Sequence, residues 1–275
     1  MTATPATPPA PGTGAGSYQG LGDLRLVAHQ TRYEQLSFWL NPIGAVFTLG
    51  FSVVFLVLLG ASAGGSRISY YGNIKLIQYY VPGFVAYGVM AACFNILAIT
   101  LVNRREMGLL KRLRLCPVPT WVLLTAVVAS AMIVAAIQIV VLLAVGRIGF
   151  GVHLPGSPGA FVVAVVVGML SFSALGLAMS TLVPNQDAAG PIVSIVFFVL
   201  LFLSGLWFPL KPGSGLAQAS SYFPVHRFIN AVFAPFDLRP GASAWDWHDL
   251  AVVAVWGVAG AFVAARRWRW PPRRN

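Results

Sequence analysis

Apolar residues run along this chain in long unbroken stretches separated by short polar segments. Stretches near the roughly 20 residues that cross a hydrocarbon core about 30 Å thick fall at 43–62, 80–102, 120–146, 158–182, 190–209 and 249–265. In lipid each such stretch must satisfy its own backbone hydrogen bonds, so the pattern predicts six helices. The fold class is all-α: a polytopic membrane protein with six transmembrane helices.

The polar segments between these stretches carry the remaining information. Residues 1–20 are rich in Pro, Gly, Thr and Ala, hold no Lys or Arg and contain no apolar run, so they are expected to form a disordered tail and not a cleavable leader. From Leu21 to Asn41, Asp23, Arg25, His29, Gln30, Arg32 and Glu34 interrupt the apolar positions, yet the segment ends in Leu36, Phe38, Trp39 and Leu40. That arrangement predicts an interfacial helix stopped by Pro42, with Trp39 at headgroup level; an irregular linker is the alternative. Residues 21–267 then form one membrane domain, and 268–275 a basic tail.

Composition agrees with the pattern. Hydrophobic residues make up 57% and charged residues 9% of the 275, with a mean hydropathy of +0.77, which excludes a soluble surface. The net charge of +11 sits at span ends and not on one face, so it points to topology and anionic lipid; no nucleic-acid partner is expected. Arg25, Arg32, Arg104, Arg105, Lys111, Arg112, Arg114, Arg266, Arg267, Arg269, Arg273 and Arg274 fall on the side of the termini, against Arg67, Lys75, Arg147, Lys211, Arg227 and Arg239 on the other. The first set is the larger and lies close to the spans, so cytoplasmic termini and the plasma membrane are expected.

Chemistry is sparse. None of the seven acidic residues falls in the middle of a span, which argues against a proton relay or an ion-coupled carrier. Asn95 and Gln138 are the polar residues most clearly at span depth, and helix packing accounts for them. His29, His153, His226 and His248 lie apart from one another and from Cys93 and Cys116, so no zinc or nucleophilic arrangement emerges, and a disulfide between those cysteines is not expected. Asp246, His248 and Asp249 form the one cluster a lipid enzyme could use; with Trp245 and Trp247 beside them, a helix cap in an aromatic belt explains them better. No phosphate-loop motif is present, so the chain is not expected to be an enzyme or to hold a cofactor, and any nucleotide energy must come from a partner.

One run concentrates charge: Arg104-Arg105-Glu106-Met107-Gly108-Leu109-Leu110-Lys111-Arg112-Leu113-Arg114, closed by Pro117 and Pro119. As a short amphipathic helix it suits lipid contact and partner docking about equally. The run, together with Pro82-Gly83, Asn185 to Ala189 and Ser204-Gly205-Leu206-Trp207-Phe208-Pro209, resembles the ABC-2 type permeases, the membrane subunits of ATP-binding cassette exporters, and among them the daunorubicin-resistance type. The resemblance runs from about Arg32 to Arg267.

It implies that Glu106 and Gly108, flanked by Arg105, Lys111 and Arg112, form a cytoplasmic coupling helix docked on a separate ATPase subunit present in two copies. It also implies that segment 21–41 is the connecting helix. Where the family often has Arg-Asn-Pro before the first span, this chain has Leu40-Asn41-Pro42. The stretch 204–236 would be a re-entrant outer segment with Gly205, Pro209 and Pro224 at an outer gate; a plain outer loop is the alternative. The implied activity is export of an amphipathic or lipophilic compound by a homodimer or a heterodimer with a second permease. Export of an envelope polysaccharide or lipid-linked glycan is the alternative, and a non-transporting scaffold or lipid enzyme a more distant one.

Overall fold

The computed structural model describes residues 21–63, 65–68, 74–106, 120–207, 215–236 and 243–267. Helix α1 (Leu21–Trp39) precedes α2 (Pro42–Ala63), the two divided where Pro42 cannot continue the first ladder. Two paired residues on each side, Arg67–Ile68 and Ile74–Lys75, make a short antiparallel ribbon with Arg67 opposite Lys75. Helix α3 (Leu76–Met90), a π-helical turn (Ala91–Ile96) and α4 (Leu97–Glu106) follow one another without a break. Helices α5 (Thr120–Phe150), α6 (Pro158–Leu182) and α7 (Gln186–Leu203) come next. Two short helices, α8 (Gly215–Ser220) and α9 (Pro224–Phe233), lead through a 3-10 turn to α10 (Trp247–Arg267).

Six of these segments are long and apolar enough to cross a membrane: Pro42–Ser62, Leu76–Glu106, Trp121–Phe150, Pro158–Leu182, Gln186–Leu203 and Trp247–Arg267. Each coincides with an expected span, although the boundaries move. The second begins at Leu76, earlier than residue 80, and the third continues to Phe150. The fifth was expected to reach residue 209 but ends at Leu203, because the chain turns at Gly205, whose φ of 80° suits glycine and not a branched residue.

Local chemistry sets the helix ends. Gly151, at φ 65°, closes α5, with Gly151 N–H donating to Arg147 and Val152 N–H to Gly146. Pro158 and Pro224 occupy first turns, where a missing N–H costs nothing. The Asn185 side chain accepts from the Ala188 N–H at 2.9 Å and caps α7. Asp246 accepts from the Asp249 N–H at 3.1 Å and starts α10.

The second span lies at the centre, buried along nearly all of α3 and half of α4. Small residues let neighbours close on it and on each other. A Cβ on Gly176 of α6 would stand 2.8 Å from the Cys93 carbonyl in the π turn, and one on Gly257 of α10 would stand 2.6 Å from the Ser171 hydroxyl. Helix α6 is thereby clasped between the π turn and α10. Cys93 is buried, and Cys116 lies outside the described residues.

Candidate functional site

The second span ends in charge, and that charge is held by other helices. Arg104 makes a bidentate ion pair with Glu34 of α1, through Nη1 to Oε1 at 2.7 Å and Nη2 to Oε2, while Gln30 donates to the same Oε1 at 3.2 Å. The next residue of α1, Gln35, donates to the carbonyl and hydroxyl of Ser130 on α5 at 2.8 and 2.9 Å. The N-terminal helix is thus fixed to the same end of the second and third spans.

Arg105 points inward. Its guanidinium donates to the carbonyls of Ser180 at 3.1 Å, Val183 at 2.8 Å and Pro184 at 3.3 Å, and its Nε to Glu106 Oε1 at 3.0 Å. A helix leaves its last carbonyls unpaired and carries negative potential at that end, and a buried arginine fork answers both. Of the residues assigned to a coupling helix, Arg105 therefore fastens α4 to the end of α6, and Glu106 is tied to Arg105. Gly108, Lys111 and Arg112 lie outside the described residues.

At mid-span, Gln138 of α5 donates to the Ser52 hydroxyl of α2 at 2.7 Å, passing beside Gly88, where a Cβ would stand 2.9 Å from the Gln138 amide carbon. The Asn95 Oδ1 in the π turn and Gln138 Oε1 are buried without a partner among the described residues. A π turn inserts one extra residue into a helix, a local departure frequent at functional sites.

The other end of the second span meets the segment that follows α7. The Tyr79 hydroxyl donates to the Gly205 carbonyl at 3.0 Å. Leu206 fills the gap left by Gly83, where a Cβ would stand 2.4 Å from a Leu206 methyl. The Trp207 ring lies 5.3 Å from Phe55 and 6.2 Å from Phe84 between centroids. His226 Nδ1, 3.1 Å from the Ser204 carbonyl, carries the proton of that bond. Pro82-Gly83 and Ser204–Trp207, far apart in sequence, are one contact.

Pro224 is buried at the start of α9, a strongly amphipathic helix whose Val225, Phe228, Ile229 and Val232 face the bundle. Phe228 meets Phe172 in a tilted ring contact at 5.3 Å between centroids and presses on Gly168. Arg227 ties this helix to α10 through Asp249 at 2.6 Å. Pro209 lies outside the described residues.

Ligand atoms of Asp246, His248 and Asp249 lie within 4.8 Å of one another. The Asp246 oxygen already caps α10, Asp249 already meets the Arg227 cation, and the Trp245 and Trp247 rings stack at 4.9 Å. This is the arrangement of a helix start tied to its neighbour. Sequence reading missed the Glu34–Arg104 pair, the inward turn of Arg105 and the Tyr79 bond. Their one legible trace was polar residues beside span ends.

Residues 61–265 match the family described as ABC-2 family transporter protein. The chain belongs to that family, as its charged run and its outer turn suggested. It is 27% identical over 202 residues to the "Probable multidrug ABC transporter permease YbhR" of Escherichia coli strain K12, covering 72% of this chain and 55% of that protein. It is 26% identical over 172 residues to the "Putative transport permease YvfS" of Bacillus subtilis strain 168, covering 61% of this chain and 68% of that one. The chain spans about half the length of the Escherichia coli relative.

Proposed function

We propose that this chain is the membrane subunit of an ATP-driven exporter, in which a separate ATPase, in two copies, acts on the loop after Glu106 and the second span carries the movement to the opposite face. One observation carries the reading: a continuous helical rod joins the charged end at Arg104, Arg105 and Glu106 to the turn at Gly205. A push at one end must be borne by α1 through Glu34, by α6 through Arg105 and by the outer turn through Tyr79. ATP can shift the membrane part only if those contacts differ between two states, and packed helices with small-residue interfaces move as bodies.

The end bearing Arg104, Arg105, Arg266 and Arg267 is cytoplasmic in this reading, which places the chain in the plasma membrane with Gly205, Pro209 and Pro224 at an outer gate and the α8–α9 pair re-entering the outer leaflet. Of the six spans, α2 and α7 bury least and expose Phe47, Val54 and Leu58, and Ile195, Phe198 and Phe202. Those faces suit a second permease, identical or not, and a path between the two. Few charges along them favour an amphipathic or lipophilic cargo, in keeping with the multidrug name of one relative. Cells lacking the chain should then gain drug sensitivity and keep their surface glycans; the reverse outcome would replace this cargo with a glycan.

The test of the coupling route is Glu106→Ala in the reconstituted complex. Insertion should persist while transport separates from ATP hydrolysis or the ATPase is lost. Transport at the wild-type rate would remove Glu106 from the route.

A further inference from the structure

A cleft of about 360 Å³ lies between α1, α2, the π turn with α4, and α5. Its floor is apolar and buried, formed among others by Ala45, Leu97 and Val134. Its rim is polar: Ser37 and Asn41 are exposed, and Thr100 and Arg104 stand on the wall. Apolar depth under a polar rim, at the end of the bundle where α1 lies, is the shape of an amphiphile site and not of a solvent pocket.

The charges at the rim narrow the ligand. Arg104 has five N–H donors and spends two on Glu34; the other three have no partner among the described residues. Beside them stand the Thr100 and Ser37 hydroxyls and the Asn41 amide, so the rim offers donors to a group rich in acceptor oxygens. Glu34, 9% exposed, neutralises Arg104 and would repel a headgroup bearing only negative charge. A phosphate paired with an ammonium satisfies both, the phosphate on the free side of Arg104 and the ammonium toward Glu34.

We propose that this cleft holds one zwitterionic membrane phospholipid of the ethanolamine kind, its phosphodiester on Arg104, with the upper part of one acyl chain over the floor. The volume is at the lower end for ligand pockets, about 300–1,000 Å³, so the rest of the lipid remains in the bilayer. Such a lipid would brace α1 against α2 and α5. The site does not rest on the transport reading.

The full chain is reconstituted in vesicles of phosphatidylethanolamine and phosphatidylglycerol in equal amounts, extracted in mild detergent and weighed by native mass spectrometry. One phosphatidylethanolamine per chain should survive activation that strips other lipid. Arg104→Gln should lower its occupancy about tenfold, the worth of a charge-assisted contact, and Ala131→Leu, which fills the cleft with Arg104 intact, should do the same. Ile148→Ala, at an exposed position on the far end of α5, should change nothing. The proposal is overturned if no phospholipid persists, if phosphatidylglycerol persists equally, or if the adduct is unchanged in whichever cleft variant folds. It is also overturned if chain taken from its host carries a non-phospholipid amphiphile there, which would make the cleft a cargo site.

Discussion

Replacing Arg105 tests how the second span is held. In Arg105→Met the apolar stem remains, but the carbonyls of Ser180, Val183 and Pro184 lose their donor at a buried site. Each hydrogen bond to a charged group contributes about 1.5–3 kcal/mol net. Three share one guanidinium whose own burial costs energy, so the loss should be about 2–4 kcal/mol. That corresponds to a melting temperature about 5–10 °C lower at a fixed scan rate. Arg105→Lys should fall between, because an ammonium keeps the charge without the planar fork. Far-UV circular dichroism of the detergent-solubilised full chain gives the first readout, and amide exchange at Val183, whose N–H donates to Met179 at 3.3 Å, gives the local one. A Met variant that melts with the wild type and leaves exchange unchanged would show that Arg105 does not fasten α4 to α6.

Three further outcomes follow from the contacts. Gly168→Ala should destabilise by about 1–3 kcal/mol through overpacking, since its Cβ would stand 2.0 Å from the Phe228 ring. Adding Phe228→Leu should recover part of this in a double-mutant cycle on thermal unfolding, and simple additivity would contradict the contact. Tyr79→Phe should cost about 1 kcal/mol and lower transport in reconstituted vesicles more than it lowers assembly; equal loss of both would make the bond structural only. Arg104→Glu should loosen α1, seen as proteolysis within residues 21–39, and Glu34→Arg added to it should restore protection; unrestored cleavage would argue that the pair is incidental.

The spans were legible because lipid asks so little of a sequence: an apolar run near 20 residues is sufficient, and Pro42 and the charges of α1 mark the first boundary. The cap at Asp246 was legible for a similar local reason. What lay beyond reach depends on residues far apart. The inward turn of Arg105 needs carbonyls 75 to 79 positions away, and from its neighbours alone it reads as one more surface charge. Ala91–Ile96 is mostly apolar like the residues before it, and its one polar residue, Asn95, reads as helix packing, so nothing announces the π turn. The close of the fifth span at Leu203 depends on Gly205 adopting a left-handed φ while Leu206 enters the space above Gly83. The resemblance flagged both of those segments without showing that they touch. The coupling run beyond Glu106 lies outside the described residues, so its role rests on family likeness and on the anchoring around it.

The central claim is that this chain moves because an ATPase moves it. The direct measurement is to tag the chain, extract it from its own host in mild detergent and identify its companions by mass spectrometry with quantitation. A stoichiometric partner containing a phosphate loop, lost when Glu106 and the residues after it are replaced, is the predicted result. Repeated recovery of the intact chain with no ATPase would contradict the account and leave a scaffold or a lipid enzyme.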